Sequence, residues 1–90
     1  MGDVWKALAD PTRREILDML RKRDMNAGEI AEHFDISKPS ISNHLRILKN
    51  AGLVESDKQG QNIIYMINTS VFEDIMSVVA IFTKKEEEVS

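Results

Sequence analysis

Ninety residues, 42% hydrophobic and 30% charged, with four glycines and two prolines, describe one helix-rich globular domain and exclude a disordered or low-complexity chain. The absence of cysteine excludes disulfides, thiolate metal sites and thiol redox chemistry, and the opening MGDVWKALADP, with no basic region leading into an apolar run, predicts a cytoplasmic protein without a secretory leader. The net charge of −3 argues against bulk attraction to a polyanion, but it is unevenly spread: +2 over residues 1–23, −4 over 24–36, +2 over 37–67 and −3 over 68–90.

Residues 3–9 are predicted to form a short amphipathic helix with Val4, Trp5 and Leu8 on one face. Trp5 serves either the core or a subunit interface. Asp10 and Pro11 are the N-cap and first-turn residues of a second helix reaching about residue 22, with Ile16, Leu17 and Leu20 inward. Arg13 and Arg14 near its start read as a solvated basic pair or as contacts to a phosphate backbone. Asn26 and Glu29 have capping-box spacing for a third helix ending near Phe34, with Ile30, Ala31 and Phe34 inward.

After the two-residue link Asp35-Ile36, Ser37 caps a fourth helix over residues 37–50. Pro39 sits in its first turn, where an N–H is not needed. Ile41, Leu45 and Leu48 are spaced to face a core, leaving Asn43 and Arg46 on the outer side, Ser40 and Ser42 on its flanks, and His44 nearer the buried stripe. Short hydroxyl and amide groups with an Arg are poor core formers and good partners for phosphates and base edges. Two short helices joined this way make either a helix-turn-helix or a plain αα-hairpin.

Ala51-Gly52 closes that helix, and residues 53–57 and 63–68 then read as two strands around a polar tip, Lys58 to Asn62. Ile63, Tyr65 and Ile67 alternate against Ile64 and Met66. A hairpin in this place is a wing, from which Lys58 and Gln61 reach a backbone or minor groove; Gln59 and Asn62 serve equally as solvent-facing turn residues. Thr69-Ser70 are expected to cap a last helix running to about residue 84, with a frayed tail over 85–90. Nine of the twelve residues 71–82 are apolar. They form two overlapping stripes, Phe72, Ile75, Met76, Val79 and Phe82, and beside them Val71, Val78 and Ile81. The stretch also carries Glu73 and Asp74 and is well short of the roughly 20 residues of a bilayer span. One stripe covers the domain's own core, and the other needs a second surface. A two-fold homodimer that also uses the Trp5 helix supplies it.

The pattern predicts a mainly α single domain, residues 1–90, with a small β-hairpin wing: a winged helix-turn-helix in the order ααααββα, its residues 1–23 and 69–84 also serving as dimerisation helices. Expected DNA contacts are Ser37, Lys38, Ser40, Ser42, Asn43, His44, Arg46, Lys58 and Gln61, with Asn43 favoured for a base. Expected dimer contacts are Val4, Trp5, Leu8, Phe72, Ile75, Met76, Val79 and Phe82. The competing reading is a winged-helix protein-interaction module with an idle DNA face. No nucleophile is paired with a base and no Gly-rich phosphate loop is present, so an enzyme is not expected.

Three blocks, KALADPTRREIL, SKPSISNHLRILKNAGLV and the wing ending in IIYMIN, resemble the ArsR family of small winged-helix repressors. The arrangement MNAGEIAEHFDISKPSIS is similar to its SdpR-type autorepressor group. The resemblance implies a homodimer through the first and last helices. It further implies one recognition helix per subunit in successive major grooves of an inverted-repeat operator, repression of its own or a neighbouring operon, and derepression by a sequestering membrane protein. The family's metal sensors carry Cys on the third helix, where this chain has Asn26, Gly28 and Ala31, or Asp and His on the last helix, which here has no His. No metal or other cofactor is therefore expected. The wing also has Lys58 and Gln61 in place of the family's usual pair of Arg residues.

Overall fold

A computed structural model describes the backbone of residues 2–89 and the side chains of residues 3–83. The elements run α1 (Gly2–Leu8), α2 (Pro11–Lys22), β1 (Met25–Asn26), α3 (Ala27–Ala31), α4 (Lys38–Asn50), β2 (Val54–Gln59), β3 (Asn62–Ile67) and α5 (Thr69–Val89). This is the winged helix-turn-helix, with one strand more than the sequence pattern indicated. The expected fraying of residues 85–90 concerns residues whose side chains lie outside the described ones.

Each helix begins on a cap legible in the sequence. The Asp10 carboxylate accepts from the Arg13 backbone N–H at 3.0 Å. Asn26 and Glu29 close a complete capping box, at 2.8 and 3.0 Å. Ser37 Oγ accepts from the Ser40 N–H at 3.3 Å. The last helix differs from expectation: Asn68, rather than Thr69 or Ser70, supplies the capping oxygen, to the Val71 N–H at 3.4 Å. Helix α3 is also shorter than expected, because beyond Ala31 the N–H groups of His33 and Phe34 turn to the carbonyls three residues back, Ile30 and Ala31. The end of α4 is a Schellman motif, with the Leu53 N–H on the Leu48 carbonyl, the Gly52 N–H on the Lys49 carbonyl, and Gly52 at φ 80°.

The core lies where α2, α3 and α4 meet the sheet and α1 and α5 close over it. Ile16, Leu20, Ile30, Ile41, Leu45, Leu48, Leu53 and Val54 are almost wholly buried there. In α1 the buried residues are Val4 and Ala7, while Trp5 is 46% exposed. A small side chain lets α1 approach both α2 and α4, and the indole is turned outward. The sheet has the order β1-β3-β2, all antiparallel, with Met25 opposite Tyr65 and Asn26 opposite Ile64. The wing strands are longer than expected, pairing from Val54 with Ile67 to Gln59 with Asn62. Only Gly60 and Gln61 remain in the turn, and Gly60 at φ 64° gives it the pattern of a type II′ hairpin.

On α5 the inward face is drawn from both expected stripes: Val71, Ile75 and Val78 are partly or fully buried, while Met76, Val79, Ile81 and Phe82 are exposed. Phe82 follows Ile75 by two turns and points the same way. Its 66% exposure therefore shows that the helix has run past the core by that point.

Candidate nucleic-acid interface

Helix α4 buries Ile41, Leu45 and Leu48 and so fixes which side faces outward. Ser37, Lys38, Ser40, Ser42, Asn43 and Arg46 are all exposed. The Ser37 and Ser40 hydroxyls are 3.0 Å apart, so this pair is already engaged in holding the helix start. One turn on, Arg46 Nη2 donates to Asn43 Oδ1 at 2.7 Å. That bond engages one lone pair of the amide oxygen and leaves the amide N–H groups and the remaining guanidinium N–H groups without another partner among the described residues. Such donors match phosphate oxygens or the O6 and N7 of guanine.

The wing stands beside this face. Lys58 and Gln61 are exposed near its tip. Gln61 and Ser42, from separate elements, line one open hollow of about 460 Å³ with Asn26, Gly28, Asn62 and Tyr65. Lys49 Nζ donates to Ser56 Oγ at 2.7 Å and ties the last turn of α4 to β2. Lys38 borders a second hollow, with Glu32 and Ile36. The wing and the α4 face thus form one continuous, mostly neutral polar surface with cations set along it.

His44 does not belong to that surface. Its side chain is only 18% exposed and lies against the start of α2, with Nδ1 3.4 Å from Arg13 Nη1 and 3.9 Å from Asp10 Oδ2. The imidazole, expected as a DNA contact, packs at a helix junction. The Arg pair is turned back onto α1, with Arg13 partly buried and Arg14 exposed. Arg13 donates to the carbonyls of Ala7 at 2.7 Å and Lys6 at 3.2 Å, and Arg14 to those of Leu8 at 2.8 Å and Ala9 at 3.1 Å. Together they satisfy the open C-terminal carbonyls of α1. Arg13 and His44 are 31 residues apart, so nothing local signals their meeting. The Asp10 carboxyl is held below its ordinary value of 3.8, first by the Arg13 backbone N–H and also by the charges of Arg13 and His44.

Of the expected dimer contacts, Val4 and Ile75 are buried within the chain's own core and have little surface to offer a partner. Leu8 packs partly against that core. Trp5, Met76, Val79 and Phe82 are exposed, and Phe72 is half-buried. Among the described residues no group of three or more His, Asp or Glu side chains is placed to hold a metal ion, and no helix is long and apolar enough to cross a membrane.

The sequence pattern of the family described as "Bacterial regulatory protein, arsR family" matches residues 10–56, from the α2 cap through the first wing strand. The chain is 53% identical over 85 residues to the transcriptional repressor SdpR of Bacillus subtilis (strain 168), covering 94% of each. Among solved structures it is similar to a crystal structure of an ArsR family transcriptional regulator, with TM-score 0.82 and 30% identity, over 96% of this chain and 94% of that one. It is also similar to the solution structure of the homodimeric winged helix-turn-helix domain of Mb0332 from Mycobacterium bovis, with TM-score 0.78 and 28% identity, over 99% of this chain and 82% of that one. By the domain match and by likeness along nearly its whole length, the chain belongs to the arsR family of bacterial regulatory proteins.

Proposed function

We propose that the chain is a homodimeric DNA-binding transcriptional repressor that lays one α4 per subunit into successive major grooves of an inverted repeat. The observation that carries the reading is the outer face of α4. It bears exposed Lys38, Ser42, Asn43 and Arg46, backed by a buried Ile41-Leu45-Leu48 stripe and flanked by the wing. A helix with one rigidly packed side and one side of unspent donors is built to read a groove. The free backbone N–H groups at the Ser37 end favour a phosphate there, and Lys58 and Gln61 extend contact along the backbone. The relatives are regulators, and the chain is not an enzyme.

Dimerisation follows from the exposed Trp5, Met76, Val79 and Phe82, on the helices spanning residues 1–23 and 69–84. The homodimeric state of the similar Mycobacterium bovis domain supports it. The target includes the protein's own operon, and the protein acts in the cytoplasm, where that DNA lies. Control is not by metal, since the chain has no cysteine and the α3 positions open to ligands are Asn26, Gly28 and Ala31. We infer instead that a membrane protein draws the dimer off DNA. Fluorescence anisotropy on duplexes from upstream of its own gene tests the central reading. Binding that weakens steeply with salt and prefers one inverted repeat is expected, and no binding at low salt refutes it. Co-purification from membranes tests the inducer, and release of DNA by added zinc alone refutes the metal-free reading.

A further inference from the structure

Arg13 contacts three helices at once. Its Nε and Nη2 hold the Ala7 and Lys6 carbonyls that end α1, its backbone N–H is received by the Asp10 cap of α2, and its Nη1 lies 3.4 Å from His44 Nδ1 in the middle of α4. Arg14 repeats the first of these tasks on the neighbouring carbonyls of Leu8 and Ala9 but reaches nothing on α4. Holding the end of α1 is therefore shared, and the contact to α4 belongs to Arg13 alone. A guanidinium has donors only, so in this contact His44 Nδ1 is the acceptor.

We propose that Arg13 is a positioning residue for DNA reading: through His44 it sets the angle between the partner-facing helix α1 and the reading helix α4. It thereby sets the separation of the two α4 helices across the dimer axis. The inference rests on the reading of α4 as the DNA-contacting helix of a dimer. In such a dimer the half-sites lie about one helical turn apart, some 34–36 Å. Any tilt of α4 against the dimer helix is doubled by the two-fold axis, so a loose junction accepts spacings that a rigid one rejects.

The test uses the full chain and a duplex recovered by the wild-type protein from a random-sequence pool, remade with base pairs inserted or deleted at its centre. Wild type is expected to prefer one spacing. Arg13→Met is expected to bind the preferred duplex about tenfold more weakly and to flatten the spacing preference. Arg14→Met should keep that preference, and His44→Asn, whose Oδ1 can accept in place of Nδ1, should keep it too. Should Arg13→Met lose its helical circular dichroism, His44→Phe decides instead, and it too is expected to flatten the preference. Unchanged spacing preference in the deciding variant overturns the proposal. So does equal loss in the Arg13 and Arg14 variants. If wild type recovers no duplex at all, the DNA reading of α4 fails first and this inference with it.

Discussion

Phe82→Ala is the sharpest test of the dimer. The ring is 66% exposed although it points the same way as buried Ile75, so within one chain it contributes little. A Phe residue presents roughly 200 Å². About two-thirds of that, near 130 Å², is left for a partner to cover, which at about 25 cal/mol per Å² is worth ~3 kcal/mol per protomer. Alanine retains about a third of it, and each substitution occurs twice, so full burial predicts a loss of ~4 kcal/mol per dimer and half burial ~2 kcal/mol. The dissociation constant should therefore rise between about thirtyfold and about a thousandfold. Trp5, the single tryptophan and 46% exposed, reports the equilibrium directly: its emission should shift to the red on dilution, at higher concentration in the variant than in wild type. Sedimentation equilibrium gives the same constant independently. A wild-type dissociation constant left unmoved by Phe82→Ala would refute the placement of this face in the interface. A matching fall in monomer thermal stability would show instead that Phe82 belongs to the chain's own core.

Arg46→Ala is expected to cost ~1–3 kcal/mol in binding and to relax selectivity at one G·C pair, measured by anisotropy on singly substituted duplexes. Equal loss on all sequences, with a salt slope shallower by about one, would place Arg46 on a phosphate instead. Gly52→Ala should lower unfolding stability by ~1–2 kcal/mol in urea titrations. The added methyl meets no atom within 4 Å, so the cost is that of the left-handed backbone at φ 80° alone, and Gly52→Asn should cost less. Acid should destabilise the fold through its caps. Glu29 is held below its ordinary 4.5 chiefly by the Asn26 backbone N–H, and Asp10 below its ordinary 3.8 chiefly by that of Arg13. Their folded affinities for protons are lower than their unfolded ones, so this stability is complete above the ordinary carboxylate range and is lost as pH falls below it. Thermal melts at successively lower pH should show the decline, and Glu29→Gln should make it shallower; melting temperatures flat through that range would contradict the assignment.

The reading helix was legible because everything that defines α4 is local: a Ser cap, a Pro in the first turn, a three-residue buried stripe and a Gly at the end. What defines β1 is not local. Met25 and Asn26 look like a loop, and they become a strand only because Tyr65 and Ile64 come alongside. In α1 the alternative left open for Trp5 resolves to the outside, and buried Ala7 was missed because a methyl gives little signal in a pattern read by size. On α5 nearly every position is apolar, so periodicity has no contrast to work with. The phase is set by which residues, Val71, Ile75 and Val78, happen to lie over the core. The exposure of the expected recognition residues follows from the α4 stripe, and only His44 is drawn inward, by Asp10 and Arg13, which are distant in sequence.

A chain of net charge −3 is an unlikely binder of a polyanion only if its charges are treated as one sum. Among the described residues three of the acids are engaged away from the reading face. Asp18 is paired with Arg21 at 2.8 Å and Lys22 at 3.5 Å, Glu29 with Arg23 at 2.9 Å, and Asp10 is occupied as a cap beside His44. The cations so consumed all come from α2 and the residue after it. Among the described residues, Lys38, Arg46, Lys49 and Lys58 have no carboxylate within ion-pairing distance, and Arg46 and Lys49 are oriented by the neutral oxygens of Asn43 and Ser56 instead. Orientation by a neutral group keeps the charge available, whereas orientation by a carboxylate would cancel it. With Glu55 and Asp57 of the wing counted, residues 37–67 still sum to +2 despite the total, and counterion release from contacts made there should give binding a salt dependence set by these few cations and not by the net charge.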